Sequence, residues 1–123
     1  MHWEPHGTGL RGQVVVRNVC GRTCRVPGKP AVRPLGQDGR PLDVNTIITL
    51  EFMSPGYVDI EPGQETRASV HWPSWCGPAA SDQALITLAS GEWIPARVTG
   101  PVQPSCVSGA SSAISSFWFG ASD

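Results

Sequence analysis

No apolar run in this chain reaches the roughly 18 residues that a helical membrane span requires, so the sequence encodes no such span. Met1-His2-Trp3-Glu4 also lacks the basic-then-apolar layout of a signal peptide. The expectation is that Met1 is an artificial start and that any export signal or lipid anchor was cut away upstream. No CxxC pair occurs, and three histidines add little to four cysteines, so two disulfides are favoured over a zinc site. That reading places the chain in an oxidising compartment, secreted or at the cell surface. Four cysteines allow three pairings, of which Cys20 with Cys24 and Cys76 with Cys106 is preferred. Charge is sparse at 15%, and Lys29 is the sole lysine. A pI near 6.3 and scattered aromatic residues give no basic stripe with stacking rings, which argues against nucleic acid as a partner.

Catalytic signatures are also missing. Gly7-Thr8-Gly9 has neither the spacing of a phosphate-binding loop nor the Lys-Ser/Thr that follows one. His71 stands near Ser69 and Ser74, but no nucleophile elbow or orienting acid accompanies them. Glu61 and Glu65 fall on a turn and the strand after it, where solubility accounts for them better than acid–base work. His2, His6 and His71 have no ligand spacing that marks a metal site. No enzyme activity, metal or cofactor is expected.

What the chain does have is glycine and proline, 14 and 12 residues, spread between short apolar runs as in many-turned β-proteins. Leu10, Val14 and Val16 alternate with Arg11, Gln13 and Arg17, and Thr66, Ala68, Val70 and Trp72 alternate with Glu65, Arg67, Ser69 and His71. Both patterns predict half-buried strands. Pro30 to Leu35 reads as an edge strand because proline cannot donate to a central ladder. Gln37-Asp38-Gly39-Arg40 reads as a hairpin turn and Glu61-Pro62-Gly63-Gln64 as another turn. Further strands are predicted at Asn45 to Phe52, ended by Ser54-Pro55-Gly56, and at Tyr57 to Ile60, Ala84 to Ala89, Trp93 to Thr99 and Ile114 to Phe119. The only helix candidate is the short stretch Ser81-Asp82-Gln83-Ala84. The prediction is an all-β, immunoglobulin-like β-sandwich of about seven to nine short strands. Residues 1–9 would be a flexible lead and 10–123 the single domain.

The order of motifs resembles the actinobacterial family of domains of unknown function numbered 4232. The resemblance rests on Val14-Val15-Val16-Arg17-Asn18, Cys24-Arg25-Val26-Pro27-Gly28-Lys29-Pro30-Ala31-Val32, Asp38-Gly39-Arg40-Pro41-Leu42, Ile60-Glu61-Pro62-Gly63, Val70-His71-Trp72, Cys76-Gly77-Pro78-Ala79 and Cys106. It implies an exported, often lipid-anchored domain and brings no established activity. Cys20 is additional to that pattern, and Pro73-Ser74-Trp75 is unusually aromatic.

Function therefore rests on binding. Trp72 and Trp118, the latter between Phe117 and Phe119, are expected in the core, and Trp3 as a terminal strand anchor. Trp75 lies in the loop from Pro73 to Gly77, where an outward ring could stack on a sugar or enter a partner's pocket; a lid packed over the disulfide is the competing expectation. Trp93 is a second candidate for the same surface, with His71 and Ser74 beside it. Charge is uneven: Arg11, Arg17, Arg22, Arg25, Lys29, Arg33 and Arg40 face only Glu4 and Asp38 within residues 1–42, while the rest has Arg67 and Arg97 against eight acids. A basic face could attract an anionic wall polymer or an acidic partner. The expectation is a non-enzymatic extracytoplasmic binding or adaptor module for a protein partner or cell-wall polymer, with a carbohydrate-binding module using Trp75 and Trp93 as the alternative.

Overall fold

A computed structural model describes residues 1–47, 57–88, 92–110 and 112–120. The described residues form strands β1 (His2–His6), β2 (Gly9–Arg17), β3 (Cys24–Pro27), β4 (Ala31–Gly36), β5 (Thr46–Ile47), β6 (Tyr57–Ile60), β7 (Glu65–Trp72), β8 (Ala80–Thr87), β9 (Trp93–Arg97) and β10 (Ile114–Ser116). No helix occurs among them, and the fold is all-β. The strands make three sheets, ordered β1-β2-β7-β10-β5, β3-β6 and β4-β8-β9. Pairing is antiparallel except between β10 and β5.

The alternation in β2 and β7 produces the longest ladder, from Leu10 opposite Trp72 to Arg17 opposite Glu65. A period of two sends Leu10, Val14, Ala68, Val70 and Trp72 inward, where they meet Val26 and Ile60 of the β3-β6 sheet and Val32 and Ala84 of the β4-β8-β9 sheet. All three sheets thus contribute to one core. Trp72 is fully buried there, and its Nε1 has no hydrogen-bond partner among the described residues.

The hairpin after β4 follows its sequence signal. Gly39 takes a φ of 80°, Gly36 N donates to Arg40 O at 2.8 Å, and Leu42 N donates back to Pro34 O at 2.9 Å. β4, which contains Pro34, lies at a sheet edge as proline requires. The strand expected over Asn45 to Phe52 is described only at β5; Ile48 to Gly56 lie outside the described residues, as do Ala89 and Gly91.

Three expectations are corrected. Residues 1–9, read as a flexible lead, contain β1, which pairs with β2 from His2 opposite Gln13 to His6 opposite Gly9. The cause is Trp3, 1% exposed, whose ring lies over Gly12; a Cβ at Gly12 would come within 2.8 Å of Trp3 Cε3. Ser81 to Ala84 belongs to β8, since its backbone pairs with both β4 and β9. At the C-terminal end the order is reversed: Phe119 is in the core, Phe117 is 40% exposed, and Trp118 is half-buried with the Lys29 ammonium 5.4 Å from its ring centroid.

Candidate functional site: the open face of the five-stranded sheet

Residues on β2 and β7 that do not face the core form the opposite face of the sheet. The ladder places Glu4, Arg11, His71 and Ser115 in one row across β1, β2, β7 and β10. His6 stands diagonally to this row, its ring edge-on to that of His71 with centroids 5.4 Å apart. The next row carries His2, Gln13 and Ser69, and Phe117 N donates to Ser69 O at 2.9 Å. Arg67 donates to Gln13 Oε1 at 3.2 Å and to Glu65 Oε1 at 2.8 Å, while Arg17 stands opposite Glu65.

Two shallow hollows occupy this face. One, of about 310 Å³, is bounded by His6, Arg11, Ser69, His71, Ser115 and Phe117. The other, of about 550 Å³, is bounded by His2, Glu4, Arg11, Gln13, Val15 and Arg67. Arg11 lines both. His71 is half-buried, and this burial, reinforced by His6 and Arg11, pulls its pKa below the ordinary 6.5. Three arginines and three imidazoles stand on this face against Glu4 and Glu65. The chemistry available is recognition of anions, strengthened when His71 takes up a proton. Among the described residues no three His, Cys, Asp or Glu side chains are placed to hold a metal ion.

Of the four binding residues expected from sequence, only His71 lies here. Trp75 is corrected from an exposed loop ring to a core residue, 7% exposed, with its ring centroid 6.2 Å from that of Trp72, which is 6.0 Å from that of Trp3. Its Nε1 donates to Pro78 O at 2.7 Å, and its ring folds over Gly77, where a Cβ has no room. Ser74 is likewise buried: its Oγ donates to Ser105 O at 3.2 Å and accepts from Val107 N at 3.0 Å. Both residues serve the junction closed by the Cys76–Cys106 disulfide, a pairing that the sequence reading had preferred. Trp93 is half-buried on β9 with the Arg33 guanidinium 4.6 Å from its ring centroid, so it shares no exposed surface with Trp75. The expected Cys20–Cys24 disulfide is absent from the structure, where both are free thiols, Cys20 exposed and Cys24 half-buried. Cys24 is engaged at the start of β3, opposite Ile60, with its Sγ 3.7 Å from Arg22 O.

Sequence reasoning missed His6, Arg11 and Arg67 as neighbours. The outward phase of Arg11 and Arg67 was legible, but His6 lay in the stretch read as a flexible lead, and which strand lay beside which was not legible. The N-terminal basic residues do not gather here either: Arg25 pairs with Asp59 at 3.0 Å and lies 3.7 Å from the Tyr57 ring centroid, and Arg33 packs on Trp93. Only Arg11 and Arg17 of that group reach the open face.

Neither a curated protein nor a solved structure gives a significant match to this chain. The family model described as Domain of unknown function (DUF4232) matches residues 5–83, from within β1 to within β8 and across both long strands of the open face. The chain belongs to the DUF4232 family.

Proposed function

We propose that this chain is a non-enzymatic extracytoplasmic binding or adaptor module, built as an immunoglobulin-like sandwich, that holds an anionic cell-wall polymer on the open face of its five-stranded sheet. The observation that carries the reading is Arg11: it lies between two adjoining hollows, in register with His71 and flanked by His6. Adjoining shallow hollows along one face suit an extended polyanion better than a compact ligand, which pockets of greater enclosure accommodate. The sandwich reading is supported by the single core to which all three sheets contribute. An extracytoplasmic location is supported by the Cys76–Cys106 disulfide. The carbohydrate module with paired exposed tryptophans loses support from the burial of Trp75.

The test is co-sedimentation of the chain with insoluble actinobacterial wall material, native and stripped of its anionic polymers, over a range of salt. Binding should fall with rising salt and with stripping, and should be weakened by the double substitution Arg11→Gln, Arg67→Gln. Undiminished binding by the double variant refutes the site. Binding to a co-purifying acidic protein in place of the wall material would transfer the face to a protein partner.

A further inference from the structure

The loop between β2 and β3 presents two thiols on a rigid support. Asn18 is buried and fully engaged: its Nδ2 donates to Arg22 O at 2.7 Å and to Ile60 O at 2.9 Å, and its Oδ1 accepts from Cys20 N at 2.8 Å. Its backbone N donates to Gln64 O, and its carbonyl accepts from Gly63 N, each at 2.9 Å. This clamp ties the loop to the turn after β6. Cys24 follows at the start of β3, and the two cysteines, four residues apart, line the same groove. The Cys20 thiol, with burial next, pushes the Cys24 thiol above its ordinary pKa.

Both thiols border a groove of about 500 Å³ whose apolar lining is Val16, Val19, Val26, Ile60 and Leu88. Val19, which borders the same groove, is 88% exposed, an uncommon position for a valine. A structural cross-link needs neither an exposed thiol nor an adjoining apolar groove. Together these features describe an exposed thiol, a second thiol on the same groove and a place for the group attached to the sulfur under attack.

We propose that Cys20 and Cys24 form an exchange-active dithiol whose substrate is a disulfide carrying an apolar group that lodges in this groove. Cys20, the exposed member, loses its proton to solvent and attacks one sulfur of the substrate. The substrate S–S bond breaks, a mixed disulfide forms on Cys20, and the first substrate thiolate leaves and takes up a proton. Cys24, deprotonated in turn, attacks the Cys20 sulfur, which closes Cys20–Cys24 and releases the second substrate thiol. Two electrons pass from the dithiol to the substrate, once per chain.

The experiment uses the full chain after mild reduction and removal of the reductant, with peptide mapping to keep Cys76–Cys106 out of the count. The probes are an apolar aromatic disulfide, dithiodipyridine, and a polar one, oxidised glutathione. Wild type should consume one equivalent of probe, release two of thiol and retain no adduct. Cys24→Ser should trap one adduct on Cys20, and Cys20→Ser should react at least about tenfold more slowly because the remaining thiol is less accessible. Val19→Ser should slow dithiodipyridine and leave glutathione unaffected. Stable adducts on both cysteines of wild type would overturn the proposal. So would a Cys20–Cys24 bond in the purified chain that resists mild reduction, since that marks a fixed cross-link.

Discussion

Replacing Trp75 by alanine tests whether the tryptophan after Pro73-Ser74 is a core element. The ring is 7% exposed, packs against Trp72 and covers Gly77, and its neighbours are held in place, Ser74 by its hydrogen bonds with Ser105 O and Val107 N and Cys76 by its disulfide to Cys106. Emptying such a site costs about 3 to 5 kcal/mol, the sum of lost burial and residual cavity. The hydrogen bond to Pro78 O adds little, because Pro78 is exposed and water replaces the indole. Trp75→Phe, which keeps an aromatic contact with Trp72 but fills less of the volume, should cost about 1 to 2 kcal/mol. Trp93→Ala is the control: it removes a half-buried ring and its cation–π contact with Arg33, worth about 0.5 to 1 kcal/mol in such positions. Urea unfolding followed by far-UV circular dichroism measures all three, with stability read from midpoints at constant slope. Since whole domains hold only about 5 to 15 kcal/mol, the alanine variant should lose a large share of its stability. A midpoint for Trp75→Ala equal to that of Trp93→Ala would remove Trp75 from the core and reopen it as a binding residue.

Removing the disulfide by Cys76→Ser, Cys106→Ser should cost about 3 to 4 kcal/mol on the chain-entropy account, given a sequence separation of 30, and thermal melts of the pair of proteins would show it. Gly12→Ala should cost about 1 to 3 kcal/mol by forcing the Trp3 ring off its seat; wild-type stability in the same melts would contradict the close approach. His71 has a folded-state pKa below its ordinary 6.5, so the unfolded chain takes up the proton first as pH falls. Its contribution to stability is therefore complete above pH 6.5 and is lost as pH falls toward the depressed folded pKa; urea midpoints at stepped pH should show that decline, and His71→Gln should reduce it.

The long strands were legible because a period of two runs through both, with Leu10, Val14 and Val16 in one phase of the first and Ala68, Val70 and Trp72 in one phase of the second, despite the outward Val15. β1 has the same alternation, His2, Glu4 and His6 against Trp3, but it spans five residues and contains Pro5, so the terminus read as a lead. Its place comes from a tertiary contact between Trp3 and Gly12 that no local period reports. Trp75 was misplaced for a related reason. A tryptophan flanked by proline, serine and glycine reads as a loop, and its backbone is one, but the ring turns back across Gly77 and joins Trp72. The usable signal was the small residue two positions on together with Pro78, whose carbonyl receives the indole N–H. His71 was identified as a site residue, but the neighbours that give it chemical meaning come from β1 and β2 and depend on strand order.

The inward commitment of Trp3, Trp72 and Trp75 decides what kind of recognition remains available to the sheet. An interface led by aromatic anchors would gain most of its energy from desolvated rings and would respond weakly to salt. Here three of the five tryptophans are in the core, and the open face presents Arg11, Arg17 and Arg67 with His2, His6 and His71. Binding to such a surface gains from charge and loses strength as the Debye length shortens. Because Glu4 and Glu65 offset two of the arginines, the balance of the face depends on its imidazoles, and His71 is held back from protonation by burial, His6 and Arg11. A bound anion beside it offsets that resistance, so by linkage protonation and anion binding each strengthen the other. Affinity for a wall polyanion should therefore rise as pH is lowered below about 6.5 at fixed salt, and the rise should diminish in His6→Asn, His71→Asn. If the double variant shows the same pH dependence as wild type, the protons that couple to binding reside elsewhere, and the Arg11–His71 row is not the place where the polymer is held.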